Sequence, residues 1–246
     1  MIFWITLALL LYGVWYTYSH RGDLLAGKAL RLFKEGKNAE AIRIFRKAEK
    51  TGKMAVTNQI NFAYTLLKSG FLDEARTTYN FASLSKKAKK DEKIVIKSQL
   101  ALVEWKSGDL KRATEMLEEV FTTYKNSLIY QSLGLMYLLG PSKEKALEFC
   151  LEAYDYNSDD NVIVDNLAEA YILNGETEKA EALYEELMER KPAFPDAYFG
   201  YGMLLLNKGE KEKALSLFDT ALHKPFSFLS PITKEKVQAI YDANID

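Results

Sequence analysis

The residues that could do chemistry in this chain are few and far apart. It has two histidines, His20 and His223, and one cysteine, Cys150. An imidazole works as a base only within hydrogen-bonding reach of a nucleophile or bound water, and these two lie near opposite ends of the sequence. No HExxH, phosphate-binding glycine loop, GxSxG or paired-cysteine spacing occurs. A single cysteine cannot close an intramolecular disulfide, and with two histidines it makes no soft-ligand metal set. We therefore expect no catalytic residue, no metal and no cofactor. Carboxylates are plentiful, but those of EKAEALYEELMER alternate with Lys and Arg at helical spacing, the pattern of a solvated helix face. An enzymatic reading would rest on Asp165 and Glu169 as a weak hydrolase, and no second catalytic partner accompanies them.

Charge narrows the choice further. Across 246 residues, 33 Lys and Arg face 34 Asp and Glu, for a net charge of −1. Such a balance argues against a nucleic-acid binder. The balance conceals a dipole along the sequence: residues 19–125 carry +9 and residues 126–246 carry −10. The basic half includes SKKAKKDEKIVIK (residues 85–97), where Lys86, Lys87, Lys89 and Lys90 would suit anionic lipid headgroups, at about 1 kcal/mol per lysine. A solvated helix end with an inserted loop is the alternative reading of that run.

A lipid surface matters because residues 2–18, IFWITLALLLYGVWYTY, contain no charge. As a helix they would extend about 25 Å, at the short end of a bilayer span. Tyr12, Trp15, Tyr16 and Tyr18 sit where an interfacial aromatic belt would lie. A cleaved signal peptide would need a basic start and a small-x-small cleavage site, and neither is present. A buried core helix is the remaining alternative. We expect an uncleaved, single-pass transmembrane anchor. Arg21, Lys28, Arg31, Lys34 and Lys37 follow it and nothing basic but the terminal amine precedes it, so the rest of the chain is expected on the cytoplasmic side of the cell membrane.

What must position any site is a repeat. Alanine recurs at Ala41, Ala75, Ala113, Ala146, Ala180 and Ala214. Four residues after each comes a larger side chain: Phe45, Tyr79, Leu117, Cys150, Tyr184 and Phe218. Three further on are Ala48, Ala82, Val120, Ala153, Leu187 and Ala221. Twelve residues before each alanine is another small residue (Ala29, Ala63, Ala101, Gly134, Ala168, Gly202), and seven after that a breaker: Gly36, Gly70, Gly108, Pro141, Gly175 or Gly209. Small and large residues at helical spacing on both sides of a breaker make two amphipathic helices joined by a tight turn. Asn38, Ser142 and Thr177 are placed to cap the second helix. In this pattern Cys150 is a packing residue and not a nucleophile.

The chain resembles the tetratricopeptide repeat family of helical hairpins. The fifth unit shows it best, with Leu167, Ala168, Tyr171, Gly175, Ala180, Tyr184 and Pro192 in the family's order. The resemblance covers residues 22–228 as six units: 22–55, 56–89, 94–126, 127–160, 161–194 and 195–228. Glu104 and Cys150 depart from the pattern, residues 90–93 read as an insertion, and residues 230–243 read as a capping helix, which a solenoid needs for solubility.

The resemblance implies an all-α, right-handed superhelix whose concave wall is lined by the first helix of each unit. That wall would take Asn61, Tyr64 and Lys68 from the second unit, Gln99 and Leu102 from the third, and Gln131 and Leu135 from the fourth. Asp165, Asn166 and Glu169 would follow from the fifth, then Phe199 and Met203 from the sixth. Asn61 and Asn166 hold equivalent places where the family often grips a peptide backbone. The family's clamp for a C-terminal carboxylate is not expected, since Ala26, Leu30, Val95 and Gln99 stand in its places. The function implied is a non-enzymatic membrane scaffold whose groove binds a protein or peptide partner. A chaperone or assembly factor for an envelope or secretion complex, or a regulatory subunit of a membrane enzyme, is the alternative.

Overall fold

Five of the expected breakers do the work that only glycine does readily. Gly36, Gly70, Gly108, Gly175 and Gly209 all have positive φ, between 76° and 96°, a region that costs an L side chain about 1 kcal/mol or more. Each ends a helix in the left-handed conformation and sends the chain back antiparallel. At the fourth unit, which has Pro141 instead, Ser142 Oγ accepts from the Lys145 backbone N–H at 3.2 Å and caps the returning helix. Asn38 and Thr177 are the first helical residues of their helices and make no cap there.

The structure is a computed structural model that describes residues 2–245, with side chains from Trp4 onward. Among the described residues there are fourteen helices and no strand. The chain divides into two units, Met1–Val103 and Glu104–Asp246.

The first unit holds α1 (Ile2–Ser19), α2 (Arg21–Lys34), α3 (Asn38–Glu49), α4 (Val56–Lys68), α5 (Leu72–Ser83) and most of α6 (Lys90–Lys106). Helices α2 with α3 and α4 with α5 form hairpins. Ala29, Ala41, Phe45, Ala63, Ala75 and Tyr79 have no exposed surface, and Phe45 stacks on Phe62 at 5.2 Å. Gly22 has no room for a side chain, because a Cβ there would lie 2.3 Å from the Lys53 carbonyl oxygen. Its neighbour Asp23 accepts from the Ala55 N–H and from Asn58 Nδ2, each at 2.8 Å, fixing the start of α4. Residues 90–93, expected as an insertion, form the first turn of α6. Asp91 and Glu92 favour a helix N-terminus, and Glu92 accepts from the Lys89 N–H (2.9 Å) and from Thr57 Oγ1 (2.6 Å).

Helix α1 is exposed and apolar on every side, with Trp4, Leu9, Leu10, Leu11, Val14 and Trp15 all more than half exposed. His20 follows it, stacked on Tyr16 at 4.2 Å. Arg21 and Lys53 lie over the Tyr18 ring at 4.6 and 4.1 Å. Among the described residues no helix is long and apolar enough to cross a membrane. The side chains of residues 2 and 3, which open the anchor expected over 2–18, lie outside the described residues.

The second unit holds the end of α6, then α7 (Leu110–Phe121), α8 (Ser127–Leu138), α9 (Lys143–Tyr156), α10 (Asn161–Leu173), α11 (Thr177–Glu189), α12 (Pro195–Asn207), α13 (Lys211–Leu222) and α14 (Lys234–Asp242). Asp109, Asn126, Asp160 and Thr233 cap α7, α8, α10 and α14 through their side chains. The hairpins here are α8 with α9, α10 with α11, and α12 with α13. The repeat's small positions, Ala113, Ala146, Ala180 and Ala214, are fully buried, as are Leu117, Cys150, Tyr184 and Phe218 four residues on. Burying each large apolar side chain is worth about 1.5–3 kcal/mol, so this one phase of residues carries much of the core. Helix α14, within residues 230–243 expected as a capping helix, packs on α12 and α13: Val237 and, just before the helix, Ile232 are buried against Phe199 and Phe218.

Candidate functional site

In the first unit, α4 carries Asn61, Tyr64 and Lys68, three residues that fall at i, i+3 and i+7 and so share a face. All three are half-buried. Tyr64 meets Phe33 of α2 edge-on at 6.0 Å, and burial raises its hydroxyl above the ordinary tyrosine range. Burial likewise lowers the Lys68 ammonium. On α6, Gln99 is half-buried and its Oε1 has no hydrogen-bond partner. Leu102 is buried, a correction to its expected place on an open wall.

In the second unit, Gln131 and Leu135 of α8 are half-buried. Gln131 Nε2 donates to Asp160 Oδ2 at 2.7 Å. On α10 the expectation changes more. Asn166 is 6% exposed, and its Nδ2 donates to the Gln131 carbonyl at 3.0 Å, so this amide joins α10 to α8 and is not held out for a ligand. The reach is possible because Gly134 faces it: a Cβ at Gly134 would lie 3.0 Å from Asn166 Nδ2. Asp165 is also buried, at 7% exposure, with Oδ1 lacking a partner. On α12, Phe199 is buried beneath the cap, tilted against Phe218 at 5.8 Å, while Met203 packs partly buried on the same cluster. Asp165, Asn166 and Phe199 thus join Leu102 as residues that burial removes from an open surface.

The sequence reading named Asp165 and Glu169 but missed the partners that surround them, Tyr184, Asp196, Ser230 and Lys106. Glu169 Oε1 accepts from the Tyr184 hydroxyl at 3.1 Å. Gly200 makes the space, since a Cβ there would come within 2.3 Å of that hydroxyl and 2.5 Å of Glu169 Oε1. Asp196, in the first turn of α12, accepts from Ser230 Oγ at 2.6 Å, and the Ser230 carbonyl accepts from Lys106 Nζ at 2.8 Å. Burial lifts all three carboxyls, Asp165, Glu169 and Asp196, above the usual range; the charges of Glu169 and Asp196 lift Asp165 further, and the Ser230 bond opposes the rise at Asp196. Glycine at an equivalent place in a repeat and a Ser-Pro step after the last unit were the only signals available.

Elsewhere the side chains behave as packing or surface groups. Cys150 is fully buried and burial pushes its thiol up to about 12, so no reactive thiolate exists at neutral pH. Lys86, Lys87, Lys89 and Lys90 are exposed around the turn before α6.

A family model described as tetratricopeptide repeat matches residues 166–227. No curated protein matches the sequence. Among solved structures, a tetratricopeptide repeat protein from Parabacteroides merdae is 15% identical with a TM-score of 0.54, covering 92% of this chain and 99% of its own. A thermophilic repeat protein of Thermus thermophilus is 21% identical with a TM-score of 0.63, covering 78% of this chain and 99% of its own. A chain in the APC/C heterotetramer Cut9–Hcn1 is 15% identical with a TM-score of 0.71 over 92% of this chain, which spans 43% of that longer one. Likeness at these identities shows the fold: the chain has the tetratricopeptide-repeat fold, and residues 166–227 carry the repeat's sequence signature.

Proposed function

We propose that this chain is a non-enzymatic adaptor that takes protein or peptide segments on the first-helix faces of its repeats. The observation that carries the reading is the set of half-buried aromatic, amide and aliphatic side chains on those helices: Tyr64 and Gln99 in the first unit, Gln131 and Leu135 in the second. Half-buried groups of this kind are held in place by the fold yet keep surface to offer, which lowers the entropy cost of binding. The Cut9–Hcn1 structure is of a hetero-tetramer in which the matched chain is assembled with other chains, and a role in holding another protein is proposed here.

The adaptor is held at a membrane by α1, with its repeats on the cytoplasmic side. A helix apolar on all faces needs an apolar surrounding, and Arg21 with the lysines beyond it sets the sidedness. Exposed Lys86, Lys87, Lys89 and Lys90 add contact with anionic headgroups. The test is site-specific photo-crosslinking in intact cells from Tyr64 and Leu135, with Glu148 on an exposed face as the control. Partner bands from the first two positions and not from the third are expected; equal labelling from all three would refute the binding face. External protease leaving the repeats intact is the expected topology result, and digestion would reverse the orientation.

A further inference from the structure

The polar centre of the second unit is tied to the chain's own C-terminal segment. Asp165 and Glu169 are four residues apart on α10 and so share a face. Both Glu169 and Asp196 act electrostatically on Asp165. Two cations answer these three carboxylates, and both depend on the last twenty or so residues. Lys236 of α14 acts on Glu169 and lies 5.4 Å from the Phe199 ring. Lys106 acts on Asp196, and it is held by its 2.8 Å bond to the Ser230 carbonyl. Ser230 is the hinge pin of this arrangement: its Oγ donates to Asp196 at 2.6 Å, and the Ile232 N–H donates to that Oγ at 3.2 Å.

The match is incomplete. Asp165 is 7% exposed and its Oδ1 has no partner. A buried carboxylate oxygen left unpaired is a cost that a better-placed cationic donor would remove. The donors that match a carboxylate oxygen in charge and hydrogen bonding are an ammonium or a guanidinium.

We propose that residues 224–242 are an intramolecular plug on a carboxylate site formed by Asp165, Glu169 and Asp196, and that the site takes a lysine- or arginine-bearing segment of a partner protein once the Lys106–Ser230–Asp196 latch opens. The proposal rests on the adaptor reading and names the chemistry of the partner at one of its faces. Phe199 then has a second role, offering its ring to the partner's cation as it now does to Lys236.

The test uses the full chain in detergent and a fluorescent octalysine peptide, with octaglutamate as control. In the Lys106→Met, Ser230→Ala variant, amide exchange at residues 228–232 is expected to speed up at least tenfold, and octalysine to bind at least tenfold tighter than to the parent at low salt. Adding Asp165→Asn and Glu169→Gln to that variant should abolish the gain. Unchanged exchange overturns the latch. Faster exchange without tighter binding overturns the plug, and a gain that survives the amide substitutions overturns the site. Should the double variant lose helicity, Ser230→Ala alone leaves the packed side chains of the cap in place and carries the same test. Neither readout needs the natural partner, so failure here is distinct from failure of crosslinking at Tyr64 and Leu135.

Discussion

Replacing Gly134 by alanine should have opposite effects depending on what stands at residue 166. Alone, Gly134→Ala gains about 1 kcal/mol of helix propensity. The new Cβ, however, would lie 3.0 Å from Asn166 Nδ2 and 3.8 Å from its Cγ, so the amide must give way. Its bond to the Gln131 carbonyl, 3.0 Å in the parent, is then lost at about 1–3 kcal/mol, because the Asn166 amide is enclosed. Gly134→Ala is therefore expected to be neutral to destabilising by about 2 kcal/mol. Asn166→Ala alone removes the same bond and should cost about 1–3 kcal/mol. In that background the obstruction is gone, and the next neighbour of the Cβ, Cys150 Sγ at 3.7 Å, is an ordinary contact. Gly134→Ala should then stabilise by about 0.5–1 kcal/mol. The coupling, about 1–3 kcal/mol, is read from urea unfolding of the four proteins followed by helical circular dichroism. Additive effects would refute the proposed bridge between α8 and α10. A folded, equally stable Asn166→Ala chain that had lost partner capture would return this amide to the ligand.

Three further outcomes follow from the same structure. Asp165→Asn should stabilise the chain at pH 7 by about 1 kcal/mol or more and do little near pH 4, measured as thermal midpoints across pH; a carboxyl raised above its unfolded value near 4 keeps its proton in the folded state, so its contribution is full in acid and lost as pH rises through the folded value. An equal gain at both pH values would show that the carboxyl is not shifted. Cys150 should resist alkylation by iodoacetamide at pH 8 in the native chain and react once urea unfolds it, as seen by mass; rapid native labelling would place the thiol outside the core. Removal of residues 2–18 should leave helicity and thermal unfolding of the repeats unchanged while releasing the protein from carbonate-washed membranes; loss of helicity would make α1 part of the fold.

The hairpins were legible because each repeat position needs a residue of one size in one place. Ala41, Ala75, Ala113, Ala146, Ala180 and Ala214 recur since two helices approach there too closely for anything larger, and all are fully buried. The turn glycines recur because the left-handed conformation excludes most alternatives. Helix starts were less legible: Ser142 caps α9 as expected, yet Asn38 and Thr177 lie one residue inside, where a side-chain oxygen no longer reaches the free N–H groups. The conformation of the insertion at 90–93 was not legible from the spacing: Asp91 and Glu92 favour a helix start, and these residues form the first turn of α6.

Groove residues were harder, because whether a first-helix position is open depends on what stands across from it in another hairpin. Asn61 and Asn166 hold equivalent places, but Asn61 is half-buried whereas Asn166 is enclosed, and the glycine that lets Asn166 reach the Gln131 carbonyl lies more than thirty residues earlier. Phe199 would line a wall in the interior of a longer array; in the last unit, Ile232 and Val237 cover it, since the stack must end and its final apolar face must be shielded. Period alone assigns residues to faces, and it assigns all units alike. Gly200, which leaves room for the Tyr184 hydroxyl on Glu169, and Ser230, which bonds Asp196 from beyond the last unit, lie outside the repeated small positions, so specificity in this chain is sought in what breaks the repeat, not in what maintains it.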